Sequence, residues 1–375
     1  MKLAVPKETR SGETRVSLVP AELSRLSGVE VLVQRGAGEA ALYTDAEYEA
    51  SGATLISATD ELYGSADLVA KVQPPTLEEV ELFPEGSSLL SFLAPGTFLD
   101  VVAALARRKV TSYSFELVPR TSRAQPMDAL SSQATVAGYR AALLGATRLV
   151  KFFPLLMTAA GTVPPARCLV MGAGVAGLQA IATARRLGAV VSAYDVRSAA
   201  KEEVKSVGAT FLELALETQE GQGGYAADQS EDFQARQQEM IAAHVAASDV
   251  VITTAAIPGR TAPVLVTKAM VEAMKPGSVV VDLAARTGGN CELTVDGESI
   301  DHGGVWVIGA GDLATSLPSH ASLLYARNVS SFVGLLVKEG RLAPDFSDEI
   351  VDKSLVTVAG TVHHEPTRAA LEAQQ

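Results

Sequence analysis

The stretch from Arg167 to Arg197, RCLVMGAGVAGLQAIATARRLGAVVSAYDVR, constrains this chain more than any other. A short apolar run, Cys168-Leu169-Val170-Met171, has the length and composition of a buried strand. Gly172, Gly174 and Gly177 follow in G-x-G-x-x-G spacing and lead into a helix-compatible segment rich in Ala, Leu and Arg. A second apolar run, Val190 to Tyr194, delivers Asp195 eighteen positions after the last glycine. The glycine spacing alone is weak. Set between a strand and a helix, with an acid closing the next strand, it reads as a dinucleotide fingerprint. Gly172 allows the tight turn, Gly174 lets backbone N–H groups approach a pyrophosphate, and Gly177 lets the helix lie close to the sheet. The anion then rests on a helix N-terminus, where unpaired N–H groups and the helix dipole favour it. A carboxylate at position 195 accepts hydrogen bonds from both ribose hydroxyls and repels a 2′-phosphate, which selects NAD(H). Arg197 is of the type that accommodates such a phosphate, but the acid holds the strand tip itself.

At 375 residues the chain suits two domains of ordinary size. Its hydrophobic share of 47% is enough for packed cores and excludes a disordered chain. A net charge of −12 argues against a nucleic-acid or anionic membrane surface. The two cysteines, Cys168 in the first fingerprint strand and Cys291 in a Gly-rich turn, offer neither a disulfide framework nor a metal pattern. The N-terminus, Met1 to Glu8, meets charge and proline too early for a signal peptide. Leu149 to Val163 is the most apolar candidate for a membrane span, but Lys151 and Pro154 interrupt it and it is too short. These features predict a soluble protein of a reducing compartment.

Up to Ser114, apolar runs alternate with helix-type segments. Lys2–Val5, Val29–Val33, Leu68–Val72, Leu89–Leu93 and Val110–Ser114 read as strands; Pro20–Leu26, Asp45–Ser51, Leu77–Leu82 and Phe98–Arg108 read as helices. Such alternation predicts a parallel sheet covered on both faces. The segment Glu116–Gln133 is different, packing Arg120, Arg123, Gln125, Asp128, Ser131 and Gln133 around two prolines. It fits a solvated loop as readily as a binding loop. Ser131 to Phe153 predicts a long helix that carries the chain into a second domain. There, strands at Ala209–Leu212, Val250–Thr254, Val279–Asp282 and Val305–Ile308 complete a six-strand doubly wound set with the fingerprint pair. Leu313–Val337 reads as a helix pair partly broken by Pro318, and the tail from Lys338 as polar and weakly patterned, with a mobile last dozen residues. The Gly- and Gln-rich insertion Glu217–Asp228 is either a plain surface loop or a lid that closes over nucleotide, with Tyr225 supplying the contact.

Val5-Pro6-Lys7-Glu8, Arg15-Val16-Ser17-Leu18-Val19-Pro20, Val170–Gly177 and Lys275–Asp282 resemble alanine dehydrogenase and the NAD(H)-binding component of proton-translocating nicotinamide nucleotide transhydrogenase. The resemblance covers almost the whole chain. It implies an α/β fold of two doubly wound parallel-sheet (Rossmann-like) domains joined by long helices. The first domain would be discontinuous, residues 1–130 plus about 320–375, and the NAD-binding domain would be 131–319.

Alanine dehydrogenases use a Lys, a His and an Asp to handle the amino or keto acid. Lys71 stands at the lysine position, but Ala94 and Pro95 stand where the histidine belongs and Arg286 where the aspartate belongs. Without a general acid/base, imine chemistry has no catalyst. The resemblance to the transhydrogenase component extends further. Arg120, Gln125, Asp128 and Ser131 align with its loop for the nicotinamide end, and Tyr225 with the tyrosine of its mobile loop. It assigns cofactor contacts to Gly172, Gly174, Val175, Ala176, Gly177, Asp195, Val196, Arg197, Gly224, Gln237 and Ala256. Asp128 and Ser131 would fix the carboxamide, Arg120 the nicotinamide side or phosphates, and Gln125 would reach the neighbouring nucleotide.

The implied reaction is reversible hydride transfer between NADH on this chain and NADP+ on an NADP(H)-binding partner subunit, coupled to proton translocation by membrane-embedded subunits. The chain would be enzymatically active only within that complex, as a homodimer at the cytoplasmic face of the membrane, without metal or nucleic acid. Two alternatives stand beside this reading: a stand-alone NAD-dependent alanine dehydrogenase, and a non-catalytic NAD(H) sensor.

Overall fold

The computed structural model describes residues 1–213, 231–256 and 261–374. They form two compact units, Met1–Gln133 with Ala314–Gln375, and Ala134–Leu313. In the first unit, strands β1 (Lys2–Val5), β2 (Glu30–Gln34), β3 (Thr54–Ile56), β4 (Leu68–Ala70), β5 (Ser88–Ser91) and β6 (Thr111–Ser114) lie parallel in the order β6–β5–β4–β1–β2–β3. Alternate residues feed two cores: Leu3, Val5, Leu68 and Ala70 belong to one face, Ala4 and Val69 to the other. Because both faces are covered, the central strands β1, β2 and β4 each carry an unbroken apolar run of three residues.

Two parts of this unit differ from the expectation. β3 and the helix Thr59–Gly64 carry no usable periodicity, since β3 is three residues long and only partly buried. The C-terminal tail is ordered and completes the sheet. Leu355–Val358 runs antiparallel to β6, Thr361–Val362 lies beyond it, and the helix Glu365–Glu372 sends Leu371 against the core. The hydroxyls of Ser112 and Thr357 lie 2.6 Å apart across this junction, although far apart in sequence. Pairing at such separation leaves no local pattern to read.

The helix Ala129–Arg148 leads from the first unit into the second, ending five residues earlier than its apolar pattern suggests. Pro154 disfavours helical geometry in the residue before it, and the chain turns instead into a hairpin, Leu156–Thr158 with Gly161–Val163. In the second unit β7 (Arg167–Met171), β8 (Val190–Tyr194), β9 (Thr210–Phe211), β10 (Val250–Thr253), β11 (Val279–Asp282), β12 (Ser299–His302) and β13 (Val305–Gly309) follow the order β9–β8–β7–β10–β11–β13–β12. All neighbours are parallel except β12 and β13. β12 is an edge strand of mixed polarity, Ser-Ile-Asp-His, which its composition does not announce. The chain winds outward from β7 through β8 and β9, then returns to the other side of β7 with β10. That reversal makes the carboxyl ends of β7 and β10 the crevice where a doubly wound sheet takes a ligand.

Candidate functional site

The crevice is built by three glycines, and at two of them, Gly172 and Gly177, the geometry leaves no room for a side chain. Gly172, directly after β7, has φ +102°, and its N–H donates to Tyr194 O at 2.8 Å. A Cβ on Gly177 would lie 1.8 Å from the carbonyl oxygen of Gly172, so a side chain there would break the turn. Gly174 is the N-cap of the helix Val175–Arg186, and a Cβ there would meet nothing within 4 Å. The first N–H groups of this helix, from Val175, Ala176 and Gly177, have no intrahelical acceptor. Gly174 and Val175 are exposed. An open face of N–H donors at a helix start suits a pyrophosphate.

Asp195 stands at the end of β8 and is tied to that turn. Its Oδ2 accepts from Ala173 N–H at 2.7 Å, and its Oδ1 from Arg197 N–H at 2.8 Å. The Arg197 side chain adds bonds from Nε at 3.0 Å and Nη2 at 3.1 Å. Burial pushes the carboxyl up, but the hydrogen bonds from Arg197 and Ala173 outweigh it and hold the pKa below the usual carboxylate range. Asp195 is therefore an anion at neutral pH. The Arg197 side chain is 58% exposed and Val196 80%, so the guanidinium can move aside without disturbing the core. Gln237 reaches the same strand end, donating from Nε2 to Tyr194 Oη at 2.6 Å.

On the far side of β7 the segment Thr254–Ala256 forms the rim after β10. Thr254 N–H donates to Met171 O at 2.8 Å and its hydroxyl to Gly172 O at 3.0 Å, so this rim is bonded to the fingerprint turn. Ala255 is held by Asn290, a residue the sequence pattern did not single out. Asp282, fully buried at the end of β11, accepts from the backbone N–H groups of Asn290 and Cys291 and from the Thr294 hydroxyl. The signal available was the Gly288-Gly289-Asn290 triplet shortly after a strand; both glycines have positive φ, +104° and +83°.

The first unit carries the other candidates. Arg120 and Gln125 are exposed. Gln125 lies in the 3-10 helix Ser122–Met127. Asp128 precedes the helix Ala129–Arg148, and its carboxylate accepts from Ser131 N–H at 2.8 Å and Ser131 Oγ at 2.6 Å. The loop is pinned from below: Asn328 Nδ2 donates to Pro126 O at 2.8 Å, and Arg123 makes two bonds to the Asp348 carboxylate, at 2.6 and 2.7 Å. Gly224 and Tyr225 lie outside the described residues.

Lys71 is 1% exposed and spent within the protein, 2.9 Å from Glu79 Oε1 and 3.5 Å from Glu8 Oε2. Glu79 in turn completes a capping box with Thr76, which fixes its carboxylate against the lysine. Arg15 beside them is paired with Glu13 at 2.7 Å. Ala94, in the histidine position, has φ +41° and gives its N–H to Glu116 at 2.9 Å. Arg286 is largely exposed, 3.6 Å from Asp312. Among the described residues no group of His, Cys, Asp and Glu could hold a metal ion, and no helix is long and apolar enough to cross a membrane.

Residues 4–137 match the alanine dehydrogenase/PNT N-terminal domain family, and residues 141–365 the alanine dehydrogenase/PNT C-terminal domain family. The chain is 46% identical to the first segment of NAD(P) transhydrogenase subunit alpha of Rhodospirillum rubrum, over 97% of this chain and 98% of that protein. Alanine dehydrogenase of Mycobacterium tuberculosis is 33% identical over 77% of this chain and 74% of its own length. The crystal structure of transhydrogenase from Sinorhizobium meliloti superposes with a TM-score of 0.88 at 43% identity, covering 96% of this chain and 100% of that one.

Proposed function

The chain belongs to the alanine dehydrogenase/PNT family, and from that premise we propose that it is the NAD(H)-binding subunit of a proton-translocating NAD(P) transhydrogenase. The observation that carries the reading is the fingerprint turn with its acid. Gly174 leaves the helix N-terminus open for a pyrophosphate, and Asp195 sits at the neighbouring strand end as an anion for the ribose hydroxyls. The donor set thus fits NAD(H), with Gly172, Gly174, Val175, Ala176 and Gly177 around the phosphates, Asp195, Val196 and Arg197 at the adenosine, and Gln237 and Ala256 as further contacts.

When bound, the nicotinamide supplies the hydride. Hydride transfer needs no acid or base, so the protein's work is to hold two nicotinamides in register and keep water out. In this reading Asp128 and Ser131 hold the carboxamide, Arg120 the nicotinamide side or phosphates, and Gln125 reaches toward a nucleotide on the partner. NADP(H) arrives on a partner subunit, proton conduction resides in membrane-embedded subunits, and the chain works as a homodimer at the membrane surface through those partners.

The alternative within the family, oxidation of alanine, is disfavoured by the first unit. Lys71 is buried between two glutamates, and the histidine position is an alanine whose N–H is already bound. Incubation with NAD+ and alanine separates the readings. The expected result is no saturable, alanine-dependent NADH formation alongside clear NADH binding; measurable turnover would assign the chain to the dehydrogenases.

A further inference from the structure

We infer that Asn290 is a positioning residue for the nicotinamide half of the crevice. This rests on the NAD(H) reading. Strands β10 and β11 pair from Val250 with Val279 to Thr253 with Asp282, and Leu283 N–H still donates to Thr253 O at 2.9 Å. Beyond that point the two chains part. The Asn290 side chain then takes the place of the missing strand partner. Its Oδ1 accepts from Ala255 N–H at 3.0 Å, and its Nδ2 donates to Ala255 O at 2.8 Å and to Pro263 O at 2.7 Å. One amide therefore saturates both backbone groups of Ala255. Only a side chain with a donor and an acceptor can do this, and Asn290 is fully buried.

The clamp is itself over-determined. Asp282 Oδ2 holds Asn290 N–H at 2.7 Å, while the same oxygen takes Cys291 N–H at 3.0 Å and Thr294 Oγ1 at 2.7 Å. Rigidity thus passes from the buried end of β11 through Asn290 to Ala255. The exposed Ala256 follows directly. A doubly wound sheet binds the two halves of a dinucleotide on opposite sides of its switch point. Asp195, at the end of β8, marks the adenosine side, so the rim after β10 belongs to the nicotinamide side. Asn290 touches neither half; it fixes the backbone that the nicotinamide half meets.

The test compares NADH with ADP-ribose, which lacks the nicotinamide ring, on the full chain. In Asn290→Ala, NADH affinity is expected to fall about tenfold, the penalty of leaving a backbone group unpaired, while ADP-ribose affinity stays within about twofold. A merely structural role would weaken both ligands in parallel with a loss of thermal stability, and that result would overturn the inference. So would unchanged NADH affinity. If the substitution prevents folding, amide exchange of the unmodified chain decides. Ala255 N–H is expected to be strongly protected without nucleotide, and rapid exchange there would contradict the clamp. An unmodified chain that binds neither ligand would sink the NAD(H) reading itself; binding of both by the unmodified chain, with an indifferent Asn290→Ala, would sink this inference alone.

Discussion

Asp195 Oδ2 lies 2.7 Å from the amide nitrogen of Ala173, so the acid that closes β8 also fastens the turn that follows β7. On the proposed NAD(H) reading, recognition of the ribose and the shape of the phosphate cradle would share one carboxylate. Asp195→Ala removes both, and NADH affinity is expected to fall by about tenfold to a hundredfold, the worth of a hydrogen bond to a charged group. NADPH affinity should fall less, because repulsion of its 2′-phosphate disappears at the same time. Asp195→Asn keeps an acceptor for Ala173, so its thermal stability should stay near that of the unmodified chain while discrimination narrows. Equal NADH and NADPH affinities in the unmodified chain would contradict the assignment.

Gly177 gives a purely steric prediction. Any Cβ there collides with the Gly172 carbonyl at 1.8 Å, and both partners are backbone that cannot swing away. Gly177→Ala is expected to cost about 1–3 kcal/mol of stability, the range for overpacking, and to abolish NADH binding. Gly174→Ala meets no atom and should leave stability nearly unchanged while obstructing the nucleotide. Thermal melting paired with a nucleotide titration of each variant checks the contrast.

The two glycine substitutions also mark what could be read from the chain. The strand–glycine–helix order is local, so β7, β8 and Asp195 were legible from spacing. The apolar strands of both sheets were legible because each buries both faces. Four things were not. The pairing of Leu355–Val358 with β6 joins segments too far apart for any periodicity to register. The link from Asp195 to Ala173 and the clamp of Asn290 on Ala255 are side-chain-to-backbone bonds, whose partners no residue type encodes. Lys71 stood where a catalytic lysine would, and only its burial between Glu8 and Glu79 revealed an internal ion network.

The buried Glu13–Arg15 pair carries a pH prediction. Burial raises the Glu13 carboxyl, but hydrogen bonds and charge from Arg15 outweigh this and lower its pKa from the ordinary 4.5. A carboxylate with a depressed folded pKa contributes stability that is complete above the ordinary value and is lost as pH falls through the folded one. Glu13→Gln leaves the Arg15 guanidinium buried with Gln133 as acceptor at 2.9 Å. The expected loss at neutral pH is about 3 kcal/mol, the low end for breaking a buried pair. The gap between variant and unmodified chain should shrink below pH 4.5; denaturant unfolding at several pH values measures it, and a gap that widens in acid would contradict the assignment.

Gln125 tests the proposed approach of the second nucleotide. It is exposed on a 3-10 turn anchored by Arg123 and Asp348, so its amide is free to reach outward from a fixed base. Gln125→Asn keeps the amide and shortens the reach by one methylene. Hydride transfer in the complex is expected to slow by about a hundredfold, as misplacement of reacting groups by about an ångström can do. NADH affinity of the isolated chain should hardly change. Transfer at the unmodified rate, or affinity falling in step with rate, would reduce Gln125 to a bystander or a binding residue.

On the proposed function, NADH on this chain gives its hydride to a nucleotide held by another protein. Mixing the NADH-loaded chain with a partner subunit carrying NADP+ and following NADH oxidation in a single turnover tests it most directly. Fast transfer is expected in the mixture, and none when free NADP+ is offered to the chain alone. NADH that binds tightly yet is never oxidised with the loaded partner, or that is oxidised equally well by free NADP+, would contradict it.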